Sequence, residues 1–310
     1  MKLGYCLMAM ASGAVLATQG RVNSQLGQYV HDGILAAFIS TGGGLVLLVV
    51  GVSATPAGRR GVDRVATALR KRELLWWHCL GGTCGALFIA SQGLAIGALG
   101  VAVFTIAAVS GQLVCGLAVD RAGIGPGGPK PITPWRVVGG LVAVAAVVVS
   151  VSGQVMSTRA MWLIVLPAVA GFGLAWQGAV NGLVKQAADN TFVATAVNFG
   201  VATVALLVAS VVDVLVKGLP AALPREWWLY VGGLLGIFVI AGMVFVVKAI
   251  GVLLLGMSMV AGQLVGAVLL DAFVPTTGTQ LTSASVLGTV ITLVAVVVAA
   301  IPARSERMAA

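Results

Sequence analysis

The chain has 310 residues, of which 59% are hydrophobic and 9% charged, with a mean hydropathy of +1.08. Soluble domains carry about 25% charged residues, so a water-soluble enzyme or binding module is excluded and lipid is the expected solvent for most of the chain. The formal charge of +9 does not indicate nucleic acid, because the basic residues form short clusters between long apolar runs rather than one basic face.

The first apolar run, 3–23, follows Lys2 and contains Ala9-Met10-Ala11, so it imitates a signal peptide. The same pattern recurs deep inside the chain, which argues for a retained membrane helix. Further runs of about 20 residues, the length needed to cross a bilayer, lie near 33–53, 74–94, 97–119, 134–153, 160–182, 191–214, 227–248, 251–271 and 282–302. Gly123 to Gly128, followed by Pro129, Pro131 and Pro134, marks the loop between the fourth and fifth. The expected fold is an all-α integral membrane protein with ten transmembrane helices, in two five-helix units at 1–155 and 156–310.

Self-comparison supports that division. Residues 11–23 align with 169–181, keeping Gly13/Gly171, Leu16/Leu174, Gln19/Gln177, Gly20/Gly178 and Asn23/Asn181. Residues 76–120 align with 227–271, keeping Trp76/Trp227, Trp77/Trp228, Gly81/Gly232, Gly85/Gly236, Gly111-Gln112/Gly262-Gln263 and Asp120/Asp271. Apolar composition matches valines and leucines by chance, but not tryptophans, glutamines and an aspartate together. A repeat of five spans is odd, so its second copy enters the membrane from the opposite side, as in inverted-repeat transporters.

Charge placement agrees with this inversion. All lysines and arginines except Arg21, Arg159, Lys217 and Arg225 fall on the side of the N-terminus, so the positive-inside rule puts both termini in the cytoplasm. The tryptophan pairs are expected to anchor their helices at opposite interfaces.

Polar side chains in lipid are costly and mark function by default. Gln19 and Asn23 are four apart, on one helical face, and Gln177 and Asn181 repeat that geometry. They are expected to line a central cavity, the competing reading being helix-to-helix hydrogen bonding. Asn198, aligned with Ser40, extends the candidate solute site, and Trp176 supplies an aromatic contact. Gln112 and Gln263, each preceded by a glycine, are read first as packing amides and second as cavity residues. Gly81/Gly85, Gly93/Gly97 and Gly232/Gly236 have the spacing of close helix contacts.

Asp120 and Asp271 end their spans at opposite faces. A solvated helix-end role is the first reading for both, with Arg121 as the local partner of Asp120, and coupling to ion flow the second. Asp271, with no adjacent cation, is the stronger coupling candidate. Lys248 is expected to snorkel. His31 and His78 stand at predicted interfaces as packing residues, and Cys6, Cys79, Cys84 and Cys115 are expected as buried, reduced thiols. No metal ligand set, cofactor motif or catalytic constellation is present. No acidic residue lies at mid-span, so the site suits neutral or zwitterionic solutes rather than cations exchanged for protons.

The motif Gln-Gly-x-Val-Asn, present as Gln19-Gly20-x-Val22-Asn23 and Gln177-Gly178-x-Val180-Asn181, resembles the YdcZ-type branch of the drug/metabolite transporter superfamily, with one domain in each half. The resemblance implies a ten-helix inner-membrane exporter. The related small multidrug resistance proteins use a glutamate on their first helix, and this chain has none there or on its sixth, which argues against cation/proton antiport. The expected function is secondary-active export of a small organic solute, with a lipid flippase or non-transporting membrane partner as the alternative and a channel third. Expected partners are that solute and membrane lipid, with a coupling proton left open, no nucleic acid and no cofactor, the chain acting as a monomer or homodimer.

Overall fold

A computed structural model describes residues 2–150, 165–218, 223–273 and 283–299, in which every regular element is helical. The helices are α1 (Lys2–Val30), α2 (Gly33–Ala54), α3 (Pro56–Arg70), α4 (Gly81–Ala122), α5 (Pro134–Ser150), α6 (Val165–Ala188), α7 (Thr191–Lys217), α8 (Gly232–Phe273) and α9 (Ser283–Ala299). Four helical stretches among the described residues are long and apolar enough to cross a membrane: Leu3–Val30, Gly33–Ala54, Thr191–Val216 and Trp227–Leu270. The last has 44 residues, about twice the requirement for one crossing. Arg159, Arg304 and Arg307, three of the charges that bear on orientation, lie outside the described residues.

The halves are interlocked. α1 packs along α8, α6 along α4, α2 against α7 and α5 against α9, so each principal pairing joins one half of the sequence to the other. Lipid gives helices no hydrophobic reason to associate, and close backbone approach must supply the attraction. Gly13 and Gly262 face the carbonyls of Met259 and Met10 across the α1–α8 contact, and Gly171 and Gly111 face those of Ala108 and Ala168 across the α4–α6 contact. A methyl group at any of the four would collide with the opposing backbone.

Aligned positions also share local structure. α2 is capped by Asp32, which accepts from the Ile34 and Leu35 amides at 2.8 and 3.0 Å, and α7 by Asn190, which accepts from Phe192 and Val193 at 2.9 and 3.2 Å. The residues before these caps, His31 and Asp189, both adopt the left-handed conformation, with φ of 54° and 51°. Trp76–Leu80 and Trp227–Tyr230 are both short 3-10 turns leading into long helices, so the helix predicted from residue 74 starts at Gly81.

Two features break the correspondence. The basic segment between α2 and the first tryptophan pair, expected as a loop, is the helix α3. Thr55 Oγ1 accepts from the Gly58 amide at 3.1 Å and Pro56 occupies the first turn, a start favoured by both residues. Gly58, Gly61, Val65 and Ala68 are buried along one stripe, while Arg59, Arg60, Arg64 and Arg70 carry the charge. Secondly, α8 is broken at Gly251 (φ 82°, ψ 172°). That left-handed, extended conformation strains any L-residue with a Cβ, and it divides the helix into 232–250 and 252–273.

Candidate functional site

The amides on α1 and α6 split between two environments. Gln19 lies over Gly236, where a methyl group would sit 2.6 Å from its Nε2, and Gln177 lies over Gly85, where a methyl group would sit 3.2 Å from its Oε1. One turn further on, Asn23 and Ser40 both crowd Gly232, and Asn181 crowds Gly81. Asn181 Nδ2 donates to Asn198 Oδ1 at 2.9 Å, and both residues are almost completely buried. Ser40 takes the place of Asn198 in the first half, and there Asn23 Oδ1 and Ser40 Oγ are buried with no hydrogen-bond partner among the described residues.

A cavity of about 170 Å³ lies between α1, α2, α4, α6, α7 and α8. Its polar lining comes from Gln19, Gln112, Gln177, Gln263, Asn198 and Thr41, and its walls from Leu16, Phe88, Ile89, Leu174, Phe199, Ile240, Met243, Leu255 and Met259. No ionisable side chain lines it among the described residues. Gln177 is 3% exposed and its Oε1 has no partner among the described residues. The site therefore presents amide groups in an apolar chamber, and Gln177 offers an acceptor to a molecule that brings an N–H or O–H.

Of the sequence candidates, Gln19, Gln177, Asn198, Gln112 and Gln263 line this cavity, whereas Asn23, Asn181, Ser40 and Trp176 do not. Gln112 and Gln263 face the chamber because neighbouring helix positions differ by about 100°. Gly111 and Gly262 make the helix contact, and the following residue turns away from it. Trp176 stacks on Trp77, with ring centroids 6.0 Å apart and planes at 19°. Thr41, Phe199, Met243 and Met259 were not singled out in the sequence, since no pattern separates a cavity methionine from a packing one.

Asp120 departs from its expected solvated role. It is 4% exposed, and its carboxylate accepts from the Val252 and Leu253 amides at 2.8 and 3.2 Å, the first N–H groups beyond the break in α8. Its ionic partner is Arg136 at the start of α5, while Arg121 points outward. Helix starts attract carboxylates through their unpaired N–H groups, which is why the residue is drawn inward. The side chain of Asp271 and the surroundings of Gly93 and Gly97 lie outside what the structure describes.

A larger cleft, about 620 Å³, opens between α3 and α6 and is lined by Asp63, Arg64, Thr67, Glu73, His78 and Gln186. His78 Nδ1 accepts from the Leu75 amide at 3.1 Å, and burial lowers its pKa. Its lining is charged, unlike that of the central chamber.

The sequence matches, over residues 4–149 and again over 162–298, the family model described as "Putative inner membrane exporter, YdcZ". No curated protein matches it. A solved structure described as "Crystal structure of protein" is similar with a TM-score of 0.65 at 19% identity, covering 97% of each chain; this likeness concerns the fold alone.

Proposed function

The chain belongs to this family of inner-membrane exporters, a transport rather than an enzyme family, and from that premise we propose that it is a secondary-active exporter of a small neutral or zwitterionic solute. It has ten spans in two inverted five-helix repeats, 1–155 and 156–310, with both termini in the cytoplasm, and it works by alternating access about the central chamber. The uncharged, glutamine-lined cavity carries this reading. Gln19 and Gln177, and Gln112 and Gln263, are aligned pairs, so each half contributes the same two amides to one site at the interface of the repeats, where such transporters bind their cargo.

The size and chemistry of the chamber narrow the cargo. A dry cavity of about 150 Å³ accepts a benzene-sized molecule, so 170 Å³ suits a compact solute. With no carboxylate among the described lining residues, a cation would enter without a counter-charge, which a buried site penalises heavily. A solute bearing N–H or O–H donors gains the acceptor of Gln177. The positions of Asn23, Asn181 and Ser40 at helix contacts favour the alternative reading as a membrane partner or lipid flippase, but the five amides facing one chamber support transport more strongly.

The test begins with a thermal-shift screen of neutral and zwitterionic metabolites against the purified protein, followed by flux of the most stabilising solute in proteoliposomes. Saturable flux is expected, and Gln19→Ala with Gln177→Ala should abolish it while the protein remains folded. Flux that survives the double change removes the proposed site.

A further inference from the structure

Asp120 joins four parts of the molecule. It ends α4 and ion-pairs with Arg136 of α5. It also caps the second segment of α8 through the Val252 and Leu253 amides, and its carbonyl accepts from the Lys130 amide at 2.7 Å, tying in the 123–133 loop. That loop presses on the last turns of α6 and of the first segment of α8: a methyl group at Gly182 would meet Pro126 Cγ at 2.6 Å, and one at Gly127 would meet the Lys248 carbonyl at 2.7 Å. Val252, whose amide Asp120 holds, is also a wall of the central cavity. Gly251 is required twice, for its positive φ and because a Cβ there would come within 2.9–3.0 Å of the Asp120 carboxylate oxygens.

We propose that Asp120, Arg136 and the Gly251 break form a latch that holds the cytoplasmic end of the chamber shut and releases when that end opens. Opening this end must separate the 123–133 loop from α6 and α8. The residues that bracket the loop, Asp120 and Arg136, are tied to α8 by one carboxylate, which accepts from two α8 backbone amides and from the guanidinium, so that carboxylate is the element biasing the two states. The proposal rests on the alternating-access reading, and its assignment to the cytoplasmic side rests on the charge distribution.

The test reads the state of the end directly, without a solute. Ala179 is fully buried and lies beneath the loop, its Cβ 4.0 Å from the place of a Cβ at Gly125. Ala36 is fully buried near the other end of the molecule, packed with Leu26 and Leu229. Ala179→Cys and Ala36→Cys, in a background with the native cysteines replaced, are labelled with a maleimide in nanodiscs. Asp120→Asn, Arg136→Gln and Gly251→Ala should each speed labelling at 179 by roughly ten- to a hundredfold, the equivalent of losing one or two charge-assisted bonds, and leave 36 unchanged. Hydrogen exchange should speed up at the 252 and 253 amides. Unchanged labelling at 179, or equal acceleration at both sites, overturns the latch. Failure to find any transported solute counts against the exporter reading instead, because the labelling does not depend on one.

Discussion

Replacing Gln177 with leucine separates a binding amide from a packing one. The side chain is 3% exposed and its Oε1 lacks a partner among the described residues, and a buried polar atom left unpaired costs about 1–3 kcal/mol. Leucine has similar bulk and no polar atom, so Gln177→Leu should stabilise the solute-free protein by that amount, or raise its melting temperature by roughly 2–4 °C per kcal/mol. A solute donor bonded to Oε1 would lose the same interaction, weakening its affinity by roughly 5- to 150-fold. Thermal unfolding in nanodiscs with and without the best solute of the screen reads both effects, and KM for flux checks the second. A melting temperature that falls, together with unchanged solute affinity, would show that Gln177 glues helices and would refute the cavity argument.

Other perturbations probe the packing and the orientation. A double-mutant cycle of Asn181→Ala and Asn198→Ala, followed by unfolding in micelles, should give a coupling of about 0.6 kcal/mol and no more than about 1.7, the range for hydrogen bonds between membrane helices; additivity would deny the bond. Gly111→Ala should destabilise by about 1–3 kcal/mol, since its methyl group runs into the Ala168 carbonyl. Gly4→Ala, with nothing within 4 Å, should change stability by about 0.5 kcal/mol or less. The Arg64–Asp189 pair at 2.8 Å has side chains 53% and 79% exposed, so Arg64→Ala should cost under about 1 kcal/mol and nothing measurable in 1 M salt. A cysteine at Arg72 should react with an impermeant maleimide applied from the cytoplasmic side alone; labelling from outside would reverse the orientation.

What the sequence revealed follows from contrast. Gln19 and Gln177 stand out because amides are rare in apolar spans, and alignment of the halves exposes them as a pair. The caps at Asp32 and Asn190 keep the same offset but emerge only from the structure. α3 escaped because a segment with six basic residues registers as a loop to any measure of hydropathy, although Thr55-Pro56 and the spacing of Gly58, Gly61, Val65 and Ala68 are helical signals. The setting of Asp120 was beyond reach for another reason: two of its partners are backbone amides 132 and 133 residues away, which leave no side-chain signature. Its nearest cation in sequence, Arg121, misleads, because the residue one step along a helix points elsewhere.

The pairing of α1 with α8 sets a timetable for the chain's synthesis. Roughly 230 residues separate the first helix from the far segment of the eighth, and at about 5–20 residues per second α1 waits roughly 10–50 s for its partner. Throughout that interval Gly13 and the amides of α1 face lipid or other helices, while the opposing carbonyls do not yet exist. A nascent first half is thus exposed to quality control, and truncation after α5 should yield a product degraded far faster than the full chain. Supplying the second half as a separate polypeptide should rescue it.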